Sequence, residues 1–281
     1  GTLSSHPPFP LPLSLYPRPL HERVMAIAFH RFSPVSLTLV LLLLTPFSIF
    51  SRLFTRPMAW TCDGSTNAEM VQKLKSAGQF SSPRVEAAML ATDRADFSPR
   101  CPYQDSPQGI GYNATITAPH MHANALQRLV DHLFDGAKAL DVGSGSGYLT
   151  AAMAIMVGPN GKVVGIEHIG QLVEMSKKNI EKNHSSLLRT GRIKLVEGDG
   201  RMGWPIEGGY NAIHVGAAAP TLPMELVHQL ADGGRMVIPV GTAHQEFIQI
   251  DREGDRFRQK SLHGVIYVPL TSKEAQLGLK N

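Results

Sequence analysis

Three glycines at alternate positions, Gly143, Gly145 and Gly147, form the stretch of the sequence with the clearest chemical meaning. They follow a short apolar run that is typical of a strand, and a run that is typical of a helix comes directly after them. Glycine lets a ligand approach the backbone and permits the tight turn into the helix. The pattern predicts a nucleotide-like ligand, but it is shared by proteins that bind NAD and by those that bind other adenosine ligands.

Three acidic residues narrow the choice of ligand. Glu167 ends the next predicted strand, where a carboxylate can accept hydrogen bonds from two ribose hydroxyls. Asp141 comes just before the first glycine, where it would repel a pyrophosphate and attract a sulfonium or ammonium group. Asp199 ends the third strand and suits a hydrogen bond from the adenine amino group. The combination favours S-adenosylmethionine over NAD, with bracing of the loop as the alternative role for Asp141.

The elements that position these residues alternate between strand and helix. The predicted strands are 137–142, 162–167, 193–199, 210–216, 235–241, 246–251 and 264–270, and the predicted helices are 65–77, 83–90, 120–134, 148–156, 171–183 and 223–230. Residues 101–119 are rich in glycine and proline, which predicts a long loop. Nearly continuous apolar strands indicate a sheet covered on both faces. We therefore expect a doubly wound, mostly parallel, Rossmann-like α/β fold with an N-terminal helical cap.

The first 57 residues differ in composition from the rest of the chain. They hold five arginines, one acidic residue and nine of the 20 prolines. Their apolar segment 35–50 resembles a signal peptide or a short membrane anchor, although a spanning helix needs roughly 20 residues. We expect residues 1–57 to be either a disordered extension of a chain whose functional part starts at Met58, or a signal or anchor involving residues 25–50. The catalytic domain would then be 58–281.

The remainder of the chain is electrically neutral, with 22 basic and 22 acidic residues. A nucleic-acid-binding domain needs a clustered basic face, so this balance argues against one. Cys62 and Cys101 are the two cysteines of the chain, which is too few for a disulfide framework and favours a reducing compartment. His120 and His122 would point to different faces of a helix, so we expect no metal site.

Several segments are specific enough to indicate a family. They are "MLATDR" (89–94), "ATITAPHMHA" (114–123), "GDGRMG" (198–203), "AIHVGAAAP" (212–220) and "GVIYVPLT" (264–271). With the glycine turn, they make the chain from Met58 to about Gln276 resemble the protein-L-isoaspartate (D-aspartate) O-methyltransferases. The resemblance implies a class I S-adenosylmethionine-dependent methyltransferase fold. It also implies a cytosolic, monomeric enzyme that methylates the free carboxylate of L-isoaspartyl and D-aspartyl residues in damaged, unfolded or aged proteins and so initiates their repair.

The resemblance, together with the glycine turn and the acidic residues, assigns a shell around S-adenosylmethionine and its product S-adenosylhomocysteine. The expected cofactor-binding residues are Ala114, Thr115, Ile116, Thr117, His122, Gly143, Ser144, Gly145, Ser146, Gly147, Glu167, His168, Asp199, Gly200, Thr271 and Gln276. The expected catalytic residues are Thr117, which would orient the acceptor carboxylate, and Asp141, which would act electrostatically on the cofactor. The family commonly has serine where Thr117 stands, and the hydroxyl is retained. The alternative role for this hydroxyl is a hydrogen bond to its own backbone.

The acceptor chemistry explains why no catalytic base is expected. A carboxylate has a reference pKa of about 4 and is already ionised at neutral pH, so alignment and exclusion of water can supply the catalysis. Two other functions stay open from the sequence. One is methyl transfer to a different acceptor, and the other is a catalytically silent, cofactor-binding adaptor.

Overall fold

The computed structural model describes residues 63–279. The predicted N-terminal extension, its apolar segment 35–50 and the predicted domain start at Met58 lie outside the described residues. Among the helices that the structure does describe, none combines the length and the apolar character needed to cross a membrane.

The elements follow the predicted alternation of strand and helix from residue 138 onward. The strands are β1 (Gln108–Gly111), β2 (Ala114–Ile116), β3 (Lys138–Val142), β4 (Lys162–Glu167), β5 (Ile193–Glu197), β6 (Tyr210–Val215), β7 (Leu230–Val240), β8 (Gln245–Glu253) and β9 (Arg256–Val265). The helices are α1 (Asn67–Ser76), α2 (Pro83–Ala91), α3 (Pro119–Leu129), α4 (Tyr148–Met156), α5 (Gly170–Arg189), α6 (Met224–Val227) and α7 (Lys273–Leu277).

A seven-stranded sheet forms the centre of the fold, in the order β5-β4-β3-β6-β7-β8-β9. The strands from β5 to β7 are parallel, and β8 and β9 add antiparallel pairs at one side. The chain order reverses between β3 and β6, and ligands of such sheets bind at the carboxyl ends of the strands beside this point. The predicted doubly wound, mostly parallel fold is confirmed.

Both faces of the sheet are covered because successive strand side chains point to opposite faces and nearly all of them are apolar. In β3, Ala139 belongs to the buried cluster that includes α4, and Leu140 and Val142 belong to the cluster on the opposite face. Asp141 therefore lies on the same face as Ala139, toward α4. Asp141 is thus the buried polar residue of β3, and it is one of the predicted site residues.

The N-terminal helices form the predicted cap over one face. The Thr66 side chain accepts a hydrogen bond from the Glu69 backbone and so caps α1, and Pro83 occupies the first turn of α2. The buried residues of the cap include Met70, Leu74 and Met89, which join the same apolar cluster as α4.

Two predicted elements are wrong. The predicted loop 101–119 contains the hairpin β1–β2. The predicted strand 264–270 does not form, because the last strand is β9 and residues 266–270 contribute only an isolated bridge between Pro269 and Ala218. The predicted helix 223–230 is shorter than expected, since β7 already begins at Leu230.

Candidate active site

The glycine turn connects β3 to α4, and its backbone angles explain why these three positions are glycine. Gly143, Gly145 and Gly147 have φ angles of +77°, +48° and +84°, which other residues rarely adopt. A Cβ atom on Gly143 would meet no atom within 4 Å, whereas one on Gly147 would lie 2.9 Å from the Cβ of Ser176. Gly143 therefore borders open space, and Gly147 allows close packing of α4 against α5.

Two neighbouring cavities open at the carboxyl ends of β3, β4 and β6, and nearly all of the predicted site residues line them. Those in cavity 1 are Ala114, Thr115, Gly143, Gly145, Glu167, His168, Gly200, Thr271 and Gln276. Those in cavity 2 are Thr115, Ile116, Thr117, His122, Asp141, Gly143, Ser144, Gly145 and Ser146. Gly147 and Asp199 line neither cavity.

Glu167 lies at the end of β4 and faces cavity 1. Its Oε2 atom accepts a hydrogen bond from the Gly145 backbone at 3.2 Å, and its Oε1 atom accepts one from the Ile169 backbone at 3.1 Å. Burial raises the pKa of this carboxyl group, and the two backbone donors partly oppose that shift. The carboxylate is therefore fixed in place beside the glycine turn, with its remaining lone pairs available to a ligand.

Asp199 lies two residues after β5, beside cavity 1, and has a local partner. Its carboxylate pairs with the Arg201 side chain at 2.6 Å and also accepts a hydrogen bond from the Arg201 backbone. The hydrogen bond from Arg201 holds the pKa of Asp199 below its ordinary value. The following residue, Gly200, lines cavity 1 instead.

Asp141 is buried and already has two partners. Its Oδ2 atom accepts a hydrogen bond from the Thr150 hydroxyl at 2.6 Å, and its Oδ1 atom lies 2.8 Å from Nδ1 of His214. His214 is in β6, next to β3 in the sheet, and it pairs in register with Asp141. The carboxylate therefore reaches cavity 2 together with a histidine that the sequence did not assign to the site.

Thr117 and His122 are connected through Arg94. The Arg94 guanidinium donates a hydrogen bond to the Thr117 carbonyl oxygen at 2.7 Å, and its Nη1 atom lies 3.2 Å from Nδ1 of His122. Arg94 is fully buried, lies over the ring of Tyr148, and has its pKa lowered by burial to about 10. Among residues 63–279, no hydrogen bond holds the Thr117 hydroxyl itself, so it is free to meet a ligand.

Gln276, in the last helix, joins three segments at the border of cavity 1. Its Oε1 atom lies 2.8 Å from Nε2 of His168, and its Nε2 atom donates to the Tyr112 carbonyl oxygen at 3.0 Å. Its own carbonyl oxygen accepts a hydrogen bond from the Asn113 side chain at 2.8 Å. The β1–β2 turn and the carboxyl end of β4 are thereby tied to α7.

Thr117 also lines a wider, open groove outside the two cavities. The groove is bordered by the start of α3, including His120 and Met121, and by the segment 263–267. Asp105 anchors this end of α3, since its Oδ1 atom accepts a hydrogen bond from the His120 backbone at 2.9 Å. A ligand in cavity 2 and a second ligand in the groove would therefore meet at Thr117.

Three contributors to this site were not assigned from the sequence. Arg94 lies in the "MLATDR" segment, His214 lies inside an apolar strand, and Tyr148 begins α4. A polar residue inside an otherwise apolar, buried strand is the signal that could have identified His214. Arg94 lies among polar residues and gives no such signal. The part of the chain from Asp63 to Leu279 contains no cluster of histidine, cysteine or acidic residues that could hold a metal ion.

Comparisons with known proteins identify the family of the chain. A family model described as protein-L-isoaspartate (D-aspartate) O-methyltransferase matches residues 65–275. A protein-L-isoaspartate O-methyltransferase of Caenorhabditis elegans is 58% identical over 221 residues, which cover 78% of this chain and 98% of that protein. One from Triticum aestivum is 52% identical over 215 residues, which cover 75% of this chain and 94% of that protein.

A solved structure extends the similarity to three dimensions. It comes from Plasmodium falciparum and is described as a protein-L-isoaspartate O-methyltransferase in complex with S-adenosyl-L-homocysteine. The two chains superpose with a TM-score of 0.70 at 35% sequence identity, over 74% of this chain and 99% of that one. The family match and these relatives together show that the chain belongs to the protein-L-isoaspartate (D-aspartate) O-methyltransferase family.

Proposed function

We propose that this protein transfers a methyl group from S-adenosylmethionine to the free carboxylate of L-isoaspartyl residues, and of D-aspartyl residues, in damaged peptides and proteins. The methyl ester would begin the repair of these sites. Membership of the family supports the reaction, and the position of Thr117 carries the assignment to this site. Thr117 lines both cavity 2 and the outer groove, which is where a methyl donor and a peptide acceptor would have to meet.

The residues present fit S-adenosylmethionine. Cavity 1 presents Glu167 for the ribose hydroxyls and the glycine turn for close backbone approach. Three of the residues that line cavity 2 carry a buried polar atom that has no hydrogen-bond partner in the described part of the chain: Ser144 Oγ, Tyr148 Oη and His214 Nε2. Buried polar groups normally have partners, so these atoms indicate a polar ligand. When bound, the cofactor supplies an electrophilic methyl group on a positively charged sulfur.

The chain's own residues would catalyse the reaction by alignment. The Thr117 hydroxyl would donate a hydrogen bond to one oxygen of the acceptor carboxylate, and Arg94 would fix the backbone that carries this hydroxyl. The acceptor needs no deprotonation, because a carboxylate is ionised at neutral pH. The buried surroundings, including Ile116, would exclude water from the reacting atoms.

The outer groove supports an extended peptide as the acceptor. Ile266 borders it and is almost fully exposed, and His263 and Tyr267 lie on the same segment. The groove is open, so it leaves room for a peptide segment that lacks a fixed structure. We infer that mobile segments of damaged proteins are preferred, because they can enter an open groove without unfolding a domain.

A methylation assay with paired peptides tests this function. Two peptides of the same sequence would differ only in an isoaspartyl or a normal aspartyl linkage, and labelled methyl groups would be followed from S-adenosylmethionine into base-labile esters. We expect esters on the isoaspartyl peptide alone. Methylation of both peptides would favour a different acceptor, and cofactor binding without any ester would favour an adaptor role.

We also propose that the catalytic domain works as a monomer in the cytosol. Cys101 is a free and exposed thiol, which suits a reducing compartment. A membrane-associated form would require that the apolar segment 35–50 is retained in the mature protein, whereas a secretory form would lose it when a signal peptide is cleaved. Mass determination of the N-terminus of protein isolated from cells would distinguish the two forms, and sedimentation would give the oligomeric state.

A further inference from the structure

The outer groove contains a histidine whose ring is held by a buried carboxylate. Nδ1 of His120 lies 2.8 Å from Oδ1 of Asp105, and the same oxygen accepts a hydrogen bond from the His120 backbone at 2.9 Å. The Asp105 side chain is fully buried, whereas 23% of the His120 side chain is exposed. Both residues line the groove together with Thr117. The pair therefore lies in the groove to which the acceptor peptide is assigned.

Local structure fixes the positions of these side chains. The N-cap of α3 is Ala118, which offers no side-chain hydrogen bond, so Asp105 supplies the acceptor for an N–H group of the first turn. The Asp105 backbone is held in turn by the Asp63 side chain, which accepts its N–H at 2.6 Å. Thr117 directly precedes the N-cap of the same helix. His120 and Thr117 thus reach the groove from one anchored segment.

The carboxylate determines which nitrogen of the ring carries a hydrogen. A carboxylate only accepts hydrogen bonds, so Nδ1 of His120 must donate to Asp105. The other oxygen of Asp105 is buried without a hydrogen-bond partner among residues 63–279, so the two N–H groups of His120 compensate the burial of this charge. When the ring is neutral, its Nε2 atom therefore has a lone pair. No described residue donates a hydrogen bond to this atom, so it can accept one from a molecule in the groove.

Thr117 and His120 offer complementary groups to an acceptor. The Thr117 hydroxyl can donate to a carboxylate, whereas the Nε2 lone pair of His120 can accept an N–H group and would repel a carboxylate. In the described part of the chain, no lysine or arginine lines the groove, so no permanent positive charge competes for the carboxylate. An isoaspartyl residue carries its free carboxylate and its own amide N–H on the same carbon atom. These two groups match the donor and the acceptor that the groove provides.

We propose that His120 is a binding residue for the acceptor peptide, and that its Nε2 atom accepts a hydrogen bond from the amide N–H of the isoaspartyl residue. Asp105 is then a positioning residue that acts through His120, because it keeps the ring hydrogen on Nδ1. The inference rests on the proposed function for the identity of the acceptor. Binding at two points restricts the rotation of the carboxylate, so that one of its oxygens faces the methyl group.

A matched pair of peptides isolates this hydrogen bond. One is an isoaspartyl peptide, and in the other an ester oxygen replaces the N–H of the isoaspartyl residue, which removes the donor without adding bulk. In His120→Asn, the side-chain amide can still donate to Asp105, but the atom corresponding to Nε2 is lost. Transfer of labelled methyl groups gives kcat/KM for both peptides with both proteins, at about pH 8, where histidine is ordinarily neutral.

We expect the parent protein to have a kcat/KM about 3- to 10-fold higher for the amide peptide than for the ester peptide, as for one hydrogen bond between neutral groups. His120→Asn should lower kcat/KM for the amide peptide by the same factor and leave that for the ester peptide nearly unchanged. A reduction of equal size for both peptides would mean that Nε2 does not meet this N–H group, and it would overturn the proposal.

Three further variants serve as controls. His244 is exposed and lines the same groove, so His244→Asn should keep the difference between the two peptides. Asp105→Ala should abolish the difference, because the hydrogen of His120 can then move to Nε2, whereas Asp105→Asn should retain it, because its side-chain oxygen still accepts from Nδ1. A difference that disappears in His244→Asn, or that survives in Asp105→Ala, would contradict the assigned roles.

A measurement without substrate gives an independent check. Nitrogen-15 spectra distinguish the two neutral tautomers of histidine from each other and from the charged ring, and His120 should have its hydrogen on Nδ1 at the same pH. A neutral ring with its hydrogen on Nε2, or a charged ring, would overturn the proposal. The methylation assay separates the two levels of inference. A parent protein that methylates neither peptide would contradict the proposed function, whereas one that methylates both equally well would contradict only the role of His120.

Discussion

Thr117 is the residue at which cavity 2 and the outer groove meet. Removing its hydroxyl in Thr117→Ala should lower kcat by about 10- to 100-fold, because a hydrogen bond to a charged acceptor is worth about 1.5–3 kcal/mol. The dissociation constant of S-adenosylhomocysteine should change little, since the hydroxyl is assigned to the acceptor. Steady-state kinetics and calorimetry on the same variant give both numbers.

Thr117→Ser provides the matched control for this experiment. It keeps the hydroxyl and restores the residue that is common in the family, so its kcat should remain close to that of the parent protein. If Thr117→Ala reduced turnover and cofactor affinity to the same extent, the hydroxyl would belong to the cofactor site and its assigned role would be wrong.

Glu167 should make cofactor binding depend on pH. Burial raises the pKa of this carboxyl group above its reference value of 4.5, so on acidification it takes up a proton at a higher pH than an ordinary glutamate. The protonated group loses an acceptor for the ribose hydroxyls. The affinity for S-adenosylhomocysteine should therefore fall as the pH is lowered through this raised pKa, and calorimetry over a pH series measures it.

Glu167→Gln tests the origin of that dependence. The variant should bind S-adenosylhomocysteine about 10- to 100-fold less tightly at neutral pH, because a charged acceptor is lost. Its affinity should then be insensitive to acid over the same range. Glu174→Gln, on the exposed side of α5, is the control and should keep both the wild-type affinity and its pH dependence. A pH profile that Glu167→Gln leaves unchanged would assign the titration to another group.

Part of the site could be predicted from the types and positions of its residues. The hydrogen-bond partners of those residues could not be predicted. Gly143 and Glu167 could be placed because glycines after a strand and an acid at the next strand end have one common use in this fold. The sequence did not show that the carboxylates of Asp141 and Asp199 also have protein partners. These partners are His214 and Arg201, respectively. Those partners depend on the register of β3 with β6 and on a local turn, which composition and spacing do not encode.

At the scale of elements, the turn between β3 and α4 requires glycine for two different reasons. One is a positive φ angle, and the other is close packing against α5. Gly147→Ala should destabilise the fold by about 2–5 kcal/mol, because alanine resists a positive φ and its Cβ would press on Ser176 in α5. Gly143→Ala has the same backbone conflict but an open surrounding, so it should cost only about 1–2 kcal/mol. Denaturant unfolding of both variants measures the difference.

The second half of this prediction concerns the ligand. Because Gly143 lines both cavities, the added methyl group of Gly143→Ala should occupy space that the ligand needs. The folded variant should therefore bind S-adenosylhomocysteine more weakly than the wild type, although its stability is only modestly reduced. If the two alanine variants were equally stable, the contact between α4 and α5 at Gly147 would not be as tight as the structure shows.

The elements that could be predicted are those whose apolar residues and ends can be recognised in the local sequence. The helix 148–156 and the strand 162–167 match the prediction, since the residues within each are mostly apolar and glycine or charged residues lie at or near their ends. The hairpin β1–β2 was missed because its strands are very short and its turn places Tyr112 and Asn113 at positive φ. β9 was missed because it lies at the edge of the sheet, where exposed polar side chains remove the apolar signal.

At the scale of the whole molecule, those residues of the described range 63–279 that line the two cavities lie between Asn113 and Gln276. A variant that starts at Met58 should therefore keep kcat/KM for an isoaspartyl peptide within about twofold of the full chain. Side-by-side assays of the two purified proteins check this. A large loss of activity in the shorter protein would assign residues 1–57 a part in catalysis.

Gln276 connects the last helix to the border of cavity 1. It joins His168 and the β1–β2 turn from a helix of five residues, none of which is buried, so this contact should open at low cost compared with the core. With the cofactor in cavity 1, as proposed, these hydrogen bonds would have to break before the spent cofactor leaves, and they would form again around a fresh molecule. We therefore expect the opening of this short helix to set an upper limit on how often the enzyme can turn over.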